Sequence, residues 1–277
     1  KADSGFKSDR DAGLKARSTR RALTQALANS DERKAKSDER KANGVAERNM
    51  KKVAIITVPL VLVLLAVSSY LALAVAPTEA TMGDVQRIFY YHVPSGWVGM
   101  FCFFINFVAS IWYLWKRSPA SDALAAASAE VGVVFCAILL IMGTLWAKPV
   151  WGIWWTWDAR LTTTLVLWLI YFSYLVLRRF SAGGQTQVLA AAFAVFGFAD
   201  VPIVYMSIRW FRTQHPSPVI GGGEGSGMAP GIAHVFLANL AIFTIIGILY
   251  IWLRYKLETA EQALESAHAQ AALKGAA

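Results

Sequence analysis

Long apolar runs alternate with short polar connections along most of the chain, from residue 53 to residue 253. Runs of about 18 or more apolar residues are typical of membrane-spanning helices rather than of helices in a soluble core. We count six runs, near residues 53–75, 94–115, 125–146, 161–177, 187–207 and 231–253. The pattern therefore predicts an all-α, polytopic membrane protein with six transmembrane helices.

The amino-acid composition agrees with this interpretation. Hydrophobic residues make up 56% of the 277 positions and charged residues only 16%, whereas an average soluble domain is about 25% charged. An all-β protein, a disordered protein and a water-soluble enzyme are all disfavoured. Lipid is the expected surrounding of residues 50–254, which we predict to form a six-span membrane domain.

The positive charge is concentrated before the first span. Residues 1–52 carry 15 of the 27 lysines and arginines but only 8 of the 18 acidic residues. Their only aromatic residue is Phe6, so they offer no surface on which nucleic-acid bases would stack. We predict no nucleic-acid partner. We interpret residues 1–49 as a polar, basic N-terminal extension that is disordered or not native, with a natural start at Met50.

The basic residues in the connections predict an orientation. Pairs of them fall on alternate connections, which all lie on one side of the membrane: Lys51 and Lys52, Lys116 and Arg117, Arg178 and Arg179, Arg254 and Lys256. The positive-inside rule places this side, and both termini, in the cytoplasm. Segments 76–93, 147–160 and 208–230 are then extracytoplasmic. Residues 255–277 are predicted to form a cytoplasmic C-terminal helix or tail.

Residues 146–160, called here the tryptophan segment, read WAKPVWGIWWTWDAR. They hold five of the eleven tryptophans of the chain: Trp146, Trp151, Trp154, Trp155 and Trp157. An interfacial belt of tryptophans spreads its rings over several helix ends. Five rings in one short interfacial segment instead indicate a platform for a large, flat, apolar ligand. Asp158 and Arg160 pair with each other, or Arg160 or Lys148 meets a ligand carboxylate.

Three of the four histidines fall on the same predicted side as the tryptophan segment. His92 lies at the mouth of the second span, and His215 lies in the last outer connection. Two imidazoles flanking an aromatic platform fit the axial ligation of a haem iron. His234, near the outer end of the sixth span, is an alternative ligand, or it forms a hydrogen bond with Asn239 or another neighbour.

Several strings together resemble one known family. They are WAKPVWGIWWTWDARLTTTLVLWLIY from Trp146, HVP at His92–Pro94, and DVPIVYMSIRW from Asp200. Over residues 53–253 the chain is similar to the CcmC family of cytochrome c maturation proteins, also called haem exporter protein C, which carry a WWD domain. Asp200 stands where members tend to have Asn, and His215 is followed by Pro-Ser-Pro rather than by a polar residue.

The resemblance implies a function and a location. Members are multi-pass proteins of the bacterial inner membrane that hold haem b non-covalently, in transit, on the periplasmic face. They deliver it to the haem chaperone CcmE, in a complex with the ABC transporter CcmA–CcmB and the small protein CcmD. The resemblance implies no bond-making catalysis by this chain itself.

The resemblance also assigns residues. His92 and His215 carry over as the axial ligands of the haem iron. The haem platform carries over onto Trp146, Trp151, Trp154, Trp155, Trp157, Asp158 and Arg160.

Two alternative functions differ in testable features. A WWD-type cytochrome c synthase subunit attaches haem to CxxCH itself, and such proteins usually show WDP after the tryptophans and have more spans. The WDAR string and the six spans argue against that alternative. A six-span transporter without a cofactor predicts polar residues lining the spans, and the first, third and fourth spans have few.

Overall fold

The computed structural model describes residues 53–181, 185–216 and 227–276, together with eight separate positions before residue 53. The chain divides into two compact units, Lys1–Val53 with Ala263–Ala277, and Ala54–Gln262. In the first unit the described positions are helical. The prediction that residues 1–49 form a disordered or non-native extension falls almost entirely outside the described residues. The second unit holds all the features discussed below.

Helices account for most of the second unit. Their bounds are α1 Val53–Val75, α2 Phe89–Lys116, α3 Pro119–Trp151, α4 Ala159–Phe180, α5 Thr186–Gly197, α6 Asp200–Trp210 and α7 Pro230–Ala276. Among the described residues, six helices are long and apolar enough to cross a membrane, with α5 and α6 together forming the fifth, Thr186–Trp210. The predicted all-α, six-span membrane fold is confirmed. The cytoplasmic location of the termini stays a prediction.

Two spans are longer than predicted because prolines near their ends are tolerated. α2 begins at Phe89, ahead of Pro94, and α3 continues past Pro149 to Trp151. Proline removes one N–H and crowds the preceding turn, which costs most in the middle of a helix. As a result Trp146 and Trp151 lie on α3 rather than in a loop.

The fifth span is broken where a continuous helix was predicted. α5 ends at Gly197, and α6 starts at Asp200 after a turn at Phe198 and Ala199. Pro202 has no N–H to donate to the carbonyl of Phe198, and that carbonyl instead accepts from the amide of Val201 at 3.0 Å. The proline therefore explains the break.

Glycines let α2 and α3 pack closely. A Cβ atom on Gly99 would lie 3.3 Å from the backbone nitrogen of Cys136, and a Cβ on Gly132 would overlap the ring of Phe103. Small residues of this kind allow two membrane helices to approach each other. Phe103 also stacks on Tyr171 of α4, with ring centroids 3.7 Å apart. This packing fixes the middle of α2 against the middle of α3.

Charged side chains join three helices at the end of the bundle where α3 begins and α4 ends. Arg178 of α4 donates to both carboxylate oxygens of Asp122 on α3, at 2.6 and 3.0 Å, and to Glu258 on α7 at 3.2 Å. Arg254 of α7 pairs with Glu130 of α3. The two arginines thus connect α3, α4 and α7 by ion pairs that are largely shielded from solvent.

Candidate functional site

A cavity of about 70 Å³ lies where α2, α3, α4 and the segment after α6 meet. We call it the histidine cavity, because both predicted iron ligands contribute to its walls. Six of the nine predicted site residues line it: His92, Trp146, Trp151, Trp155, Arg160 and His215. Trp154, Trp157 and Asp158 are not part of this wall. The fold therefore brings together residues that are 123 positions apart in the sequence, from His92 to His215.

The two histidine rings lie close together in the wall of the histidine cavity. Their ring centroids are 6.5 Å apart, and the ring planes differ by 34°. A bond of about 2.0–2.1 Å from a first-row metal to an imidazole nitrogen, together with a ring radius of about 1.1 Å, separates the centroids of two opposed imidazoles by roughly 6.3 Å. The observed spacing therefore fits two imidazoles on opposite sides of one iron.

In both rings a backbone carbonyl oxygen lies within hydrogen-bond distance of the same ring nitrogen, Nδ1. Nδ1 of His92 lies 3.0 Å from the carbonyl oxygen of Leu139, and Nδ1 of His215 lies 2.8 Å from that of Pro216. In the tautomer that donates from Nδ1, the other nitrogen, Nε2, keeps a free lone pair. Histidine ligands of metals are generally oriented by this kind of hydrogen bond.

Gly143 of α3 makes room for the His92 ring. A Cβ atom at this position would lie 2.9 Å from Cε1 of His92 and 3.5 Å from Nδ1. Any side chain here would displace the ring, so glycine is required for the observed placement. The sequence analysis missed Gly143, because one glycine in an apolar helix does not reveal which side chain packs on it.

His215 lies in the segment after α6, outside the spanning helices, and is half-buried. Burial lowers the pKa of His215, and the positive charge of Arg160 lowers it further, while the Pro216 carbonyl and Asp158 act in the opposite direction. The neutral form is therefore favoured. Only a neutral imidazole has the lone pair that a metal ligand needs.

The tryptophans form two edge-to-face pairs. Trp146 and Trp151 are 5.1 Å apart between ring centroids, and Trp155 and Trp157 are 5.8 Å apart. Gly152 ends α3 with a φ of +78°, a left-handed conformation that glycine adopts without strain. The chain turns there, and Trp155 joins the cavity wall. Trp157 is 76% exposed.

Lysine and tryptophan contacts hold the turn after α3. Lys148 donates to the carbonyl oxygen of Gly152 at 2.9 Å, and its Nζ lies 5.8 Å from the ring centroid of Trp154. The Trp154 side chain is 55% exposed. Trp154 therefore belongs to the outer surface of the turn rather than to the histidine cavity.

Asp158 acts as the N-cap of α4. Its Oδ1 accepts from the amide of Leu161 at 2.9 Å, and its Oδ2 accepts from the hydroxyl of Thr156 at 3.3 Å. An aspartate just before a helix satisfies amides that have no partner in the first turn. The structure thus places Asp158 at the start of α4 and away from the cavity wall where a platform residue was expected.

Arg160 lies on the cavity wall, but its hydrogen-bond partner is not Asp158, the residue that the sequence suggested. Its Nη1 donates to the carbonyl oxygen of Val204 on α6, rather than to Asp158. This bond ties α4 to α6 and holds the guanidinium beside His215. The remaining N–H groups of Arg160 can donate to a carboxylate.

His234, the alternative ligand, lies on α7 and is not among the residues that line the histidine cavity. Of the hydrogen-bond partners predicted for His234, Asn239 bonds to other residues, and a bond to another neighbour stays a prediction. Asn239 accepts from the hydroxyl of Ser68 and donates to the carbonyl oxygen of Val235 at 2.9 Å.

Comparisons with known proteins identify one family. Residues 40–270 match the family described as "Heme exporter protein C". Among curated relatives, a heme exporter protein C from Haemophilus influenzae is 36% identical over 208 residues, covering 72% of this chain and 81% of the relative. One from Bradyrhizobium diazoefficiens is 34% identical over 186 residues, covering 66% and 70%. One from Escherichia coli strain K12 is 37% identical over 142 residues, covering 50% and 58%. A match over most of the chain, with relatives that align along most of their own length, shows that the chain belongs to the CcmC (haem exporter protein C) family.

Proposed function

We propose that this protein holds haem as cargo for cytochrome c maturation, with His92 and His215 on opposite sides of the iron. The observation that carries the proposal is the pair of histidine rings with centroids 6.5 Å apart, each with a backbone carbonyl beside Nδ1. The names of the relatives support the same role, since they describe haem exporters. The cargo is haem b, held without a covalent bond.

The remaining wall residues suit the other parts of such a ligand. The indole rings of Trp146, Trp151 and Trp155 supply flat apolar surface for a macrocycle. Arg160 supplies a fixed cation close to His215, where charge-assisted hydrogen bonds to a haem carboxylate would form. Haem itself supplies an iron that accepts two axial nitrogens. The protein's own part is to position, orient and shield.

The exposed side of the tryptophan segment is the surface from which haem would be delivered. Trp154 and Trp157 do not line the histidine cavity and are more than half exposed. We propose that they form part of the surface on which the periplasmic chaperone CcmE docks, at the inner membrane, within a complex that includes CcmA–CcmB and CcmD. Transfer is then an exchange of axial ligands, and the chain makes no covalent bond of its own.

The proposal is tested with the full chain reconstituted in lipid and titrated with haemin. We expect saturable uptake of one haem, followed by transfer when purified CcmE is added. Trp154→Ala is expected to bind haem normally, because this side chain lies on the outer surface of the turn after α3, and to transfer it several-fold more slowly. Trp115→Ala, also highly exposed but at the far end of α2, is the matched control. A wild-type protein that takes up no haem would refute the proposal.

A further inference from the structure

A second, larger cavity opens beside the histidine cavity. Its volume is about 360 Å³, and its walls are Leu140, Ile141, Thr144, Trp155, Trp157 and Leu165. We call it the lateral groove, because these side chains belong to α3, α4 and the turn that joins them. Ile141 is 57% exposed. Since α3 and α4 are both spanning helices, this side of the bundle faces the bilayer.

The lateral groove and the histidine cavity share a wall. Leu140, Thr144 and Trp155 line both. The hydroxyl of Thr144 donates to the Leu140 carbonyl at 2.6 Å, so its hydrogen is already used within α3. These three side chains therefore form the wall that the two cavities have in common.

The two cavities differ in volume, and only one of them has the size of a ligand pocket. Ligand-sized pockets measure about 300–1,000 Å³. The lateral groove, at about 360 Å³, lies in this range, whereas the histidine cavity, at about 70 Å³, does not. A macrocycle whose iron meets both histidines must therefore extend beyond the histidine cavity, and the lateral groove is the adjoining space.

Of the three side chains in the shared wall, Trp155 is the least restrained. Its indole N–H is buried and has no hydrogen-bond partner among the described residues. It stands on the turn after Gly152, which adopts a left-handed conformation, rather than on a helix. Leu140 and Thr144, by contrast, are fixed on α3. Displacing the Trp155 ring would break no hydrogen bond among the described residues, would give up its edge-to-face contact with Trp157, and would remove part of the wall between the two cavities.

We infer that haem reaches the histidine pair sideways, from the bilayer through the lateral groove, and that Trp155 is the wall that moves. The inference rests on the proposed function, because it concerns the route of the same cargo. The groove has an almost entirely apolar lining that suits the macrocycle, and it is continuous with the residues that would hold the iron. A lipid chain that merely fills the groove is the competing occupant.

The test blocks the groove after the protein has folded. Ile141→Cys is introduced, and the purified protein is labelled with a bulky maleimide. The natural thiols, Cys102 and Cys136, are buried and so are shielded from the reagent. Val134→Cys is the matched control, because Val134 lies on the same helix, is 58% exposed and does not line the groove.

Haem uptake is followed by absorbance in lipid vesicles that already contain haemin in the bilayer. Labelled I141C is expected to fill roughly tenfold or more slowly, which corresponds to a barrier raised by about 1.4 kcal/mol. Unlabelled I141C is the reference for the effect of the label and should fill faster than its labelled form, while both forms of V134C should fill at the wild-type rate. Trp155→Ala should speed uptake as well as release, whereas a purely supporting role for this ring would speed release alone.

The outcomes separate the route from the function. If wild-type protein and unlabelled I141C take up no haem, the proposed function fails. If both take up haem and labelled I141C fills as fast as unlabelled I141C, the lateral route is wrong and the groove holds lipid. Equal slowing of labelled V134C would also overturn the route, because the label would then act through the bilayer.

Discussion

At the scale of single residues, backbone contacts decide what the two histidines can do. Leu139 and Pro216 contribute only their carbonyl oxygens, yet these oxygens set the tautomer and the direction of each ring. Gly143 contributes only the absence of a side chain. None of these three contributions depends on a chemical group that a motif search recognises.

Gly143→Ala should weaken haem binding without unfolding the protein. The added Cβ would meet the His92 ring at 2.9 Å and displace it, and we expect roughly tenfold lower affinity, which corresponds to about 1.4 kcal/mol. Alanine is otherwise favoured over glycine in a helix, so the thermal transition should not fall. Haemin titration and thermal unfolding measure both effects.

Gly99→Ala is the matched control for that substitution. Its Cβ would approach the backbone nitrogen of Cys136 at 3.3 Å, in the same α2–α3 interface, and neither residue lines the histidine cavity. Haem affinity should therefore stay close to wild type. Equal weakening by both substitutions would show that loosened α2–α3 packing, rather than the position of the His92 ring, lowers the affinity.

Substitutions of Asp158 distinguish a helix-capping role from a role in the ligand platform. Asp158→Ala removes the N-cap of α4 and should cost about 1 kcal/mol of unfolding free energy. Asp158→Asn keeps a capping oxygen and should retain both stability and haem affinity. If the charge of Asp158 contacted the ligand, Asn would weaken haem binding as much as Ala does. Denaturation and haemin titration of both variants decide between the two roles.

At the scale of helices, the site depends on how the ends of α2, α3, α4 and α6 meet. The lengths of the apolar runs predicted the six spans, because a bilayer requires a minimum length of apolar helix. They did not predict that α3 would continue past Pro149, which moved Trp146 and Trp151 onto a helix. They also missed the break at Phe198, where Pro202 leaves a carbonyl without its usual donor.

The ion pairs that connect α3, α4 and α7 lead to a prediction about helix assembly. Arg178→Ala would leave the buried carboxylate of Asp122 without its cation, at a cost of about 3 kcal/mol or more. Removing both partners should cost less than the sum of the single losses. Unfolding in detergent measures these differences. Arg179→Ala, at an exposed neighbouring position, should change stability little.

The same substitution also tests how independent the two ends are. Haem bound by Arg178→Ala should show the wild-type absorbance spectrum, because the ion pairs lie at the opposite end of α3 and α4 from the histidine cavity. A changed spectrum in folded protein would show that the ion pairs also control the histidine cavity.

At the scale of the whole molecule, the residues that carry chemistry were easier to predict than their contacts. The sequence singled out His92, His215 and the tryptophans, because such side chains are rare in apolar spans and cluster near span ends. It did not reveal which rings share a wall. That depends on the register of α2 against α3 and on the return of the chain after α6. Asp158 and Trp157 therefore fell outside the histidine cavity although they lie next to residues that line it.

The most direct test of the account is the spin state of the bound ferric haem, measured by electron paramagnetic resonance on the reconstituted chain. Two imidazole ligands predict a low-spin signal for the wild type and for His234→Ala. His92→Ala and His215→Ala should each lose that signal in favour of high-spin iron, and added imidazole should restore it. A low-spin signal that survives His215→Ala but disappears in His234→Ala would contradict the proposed ligand pair.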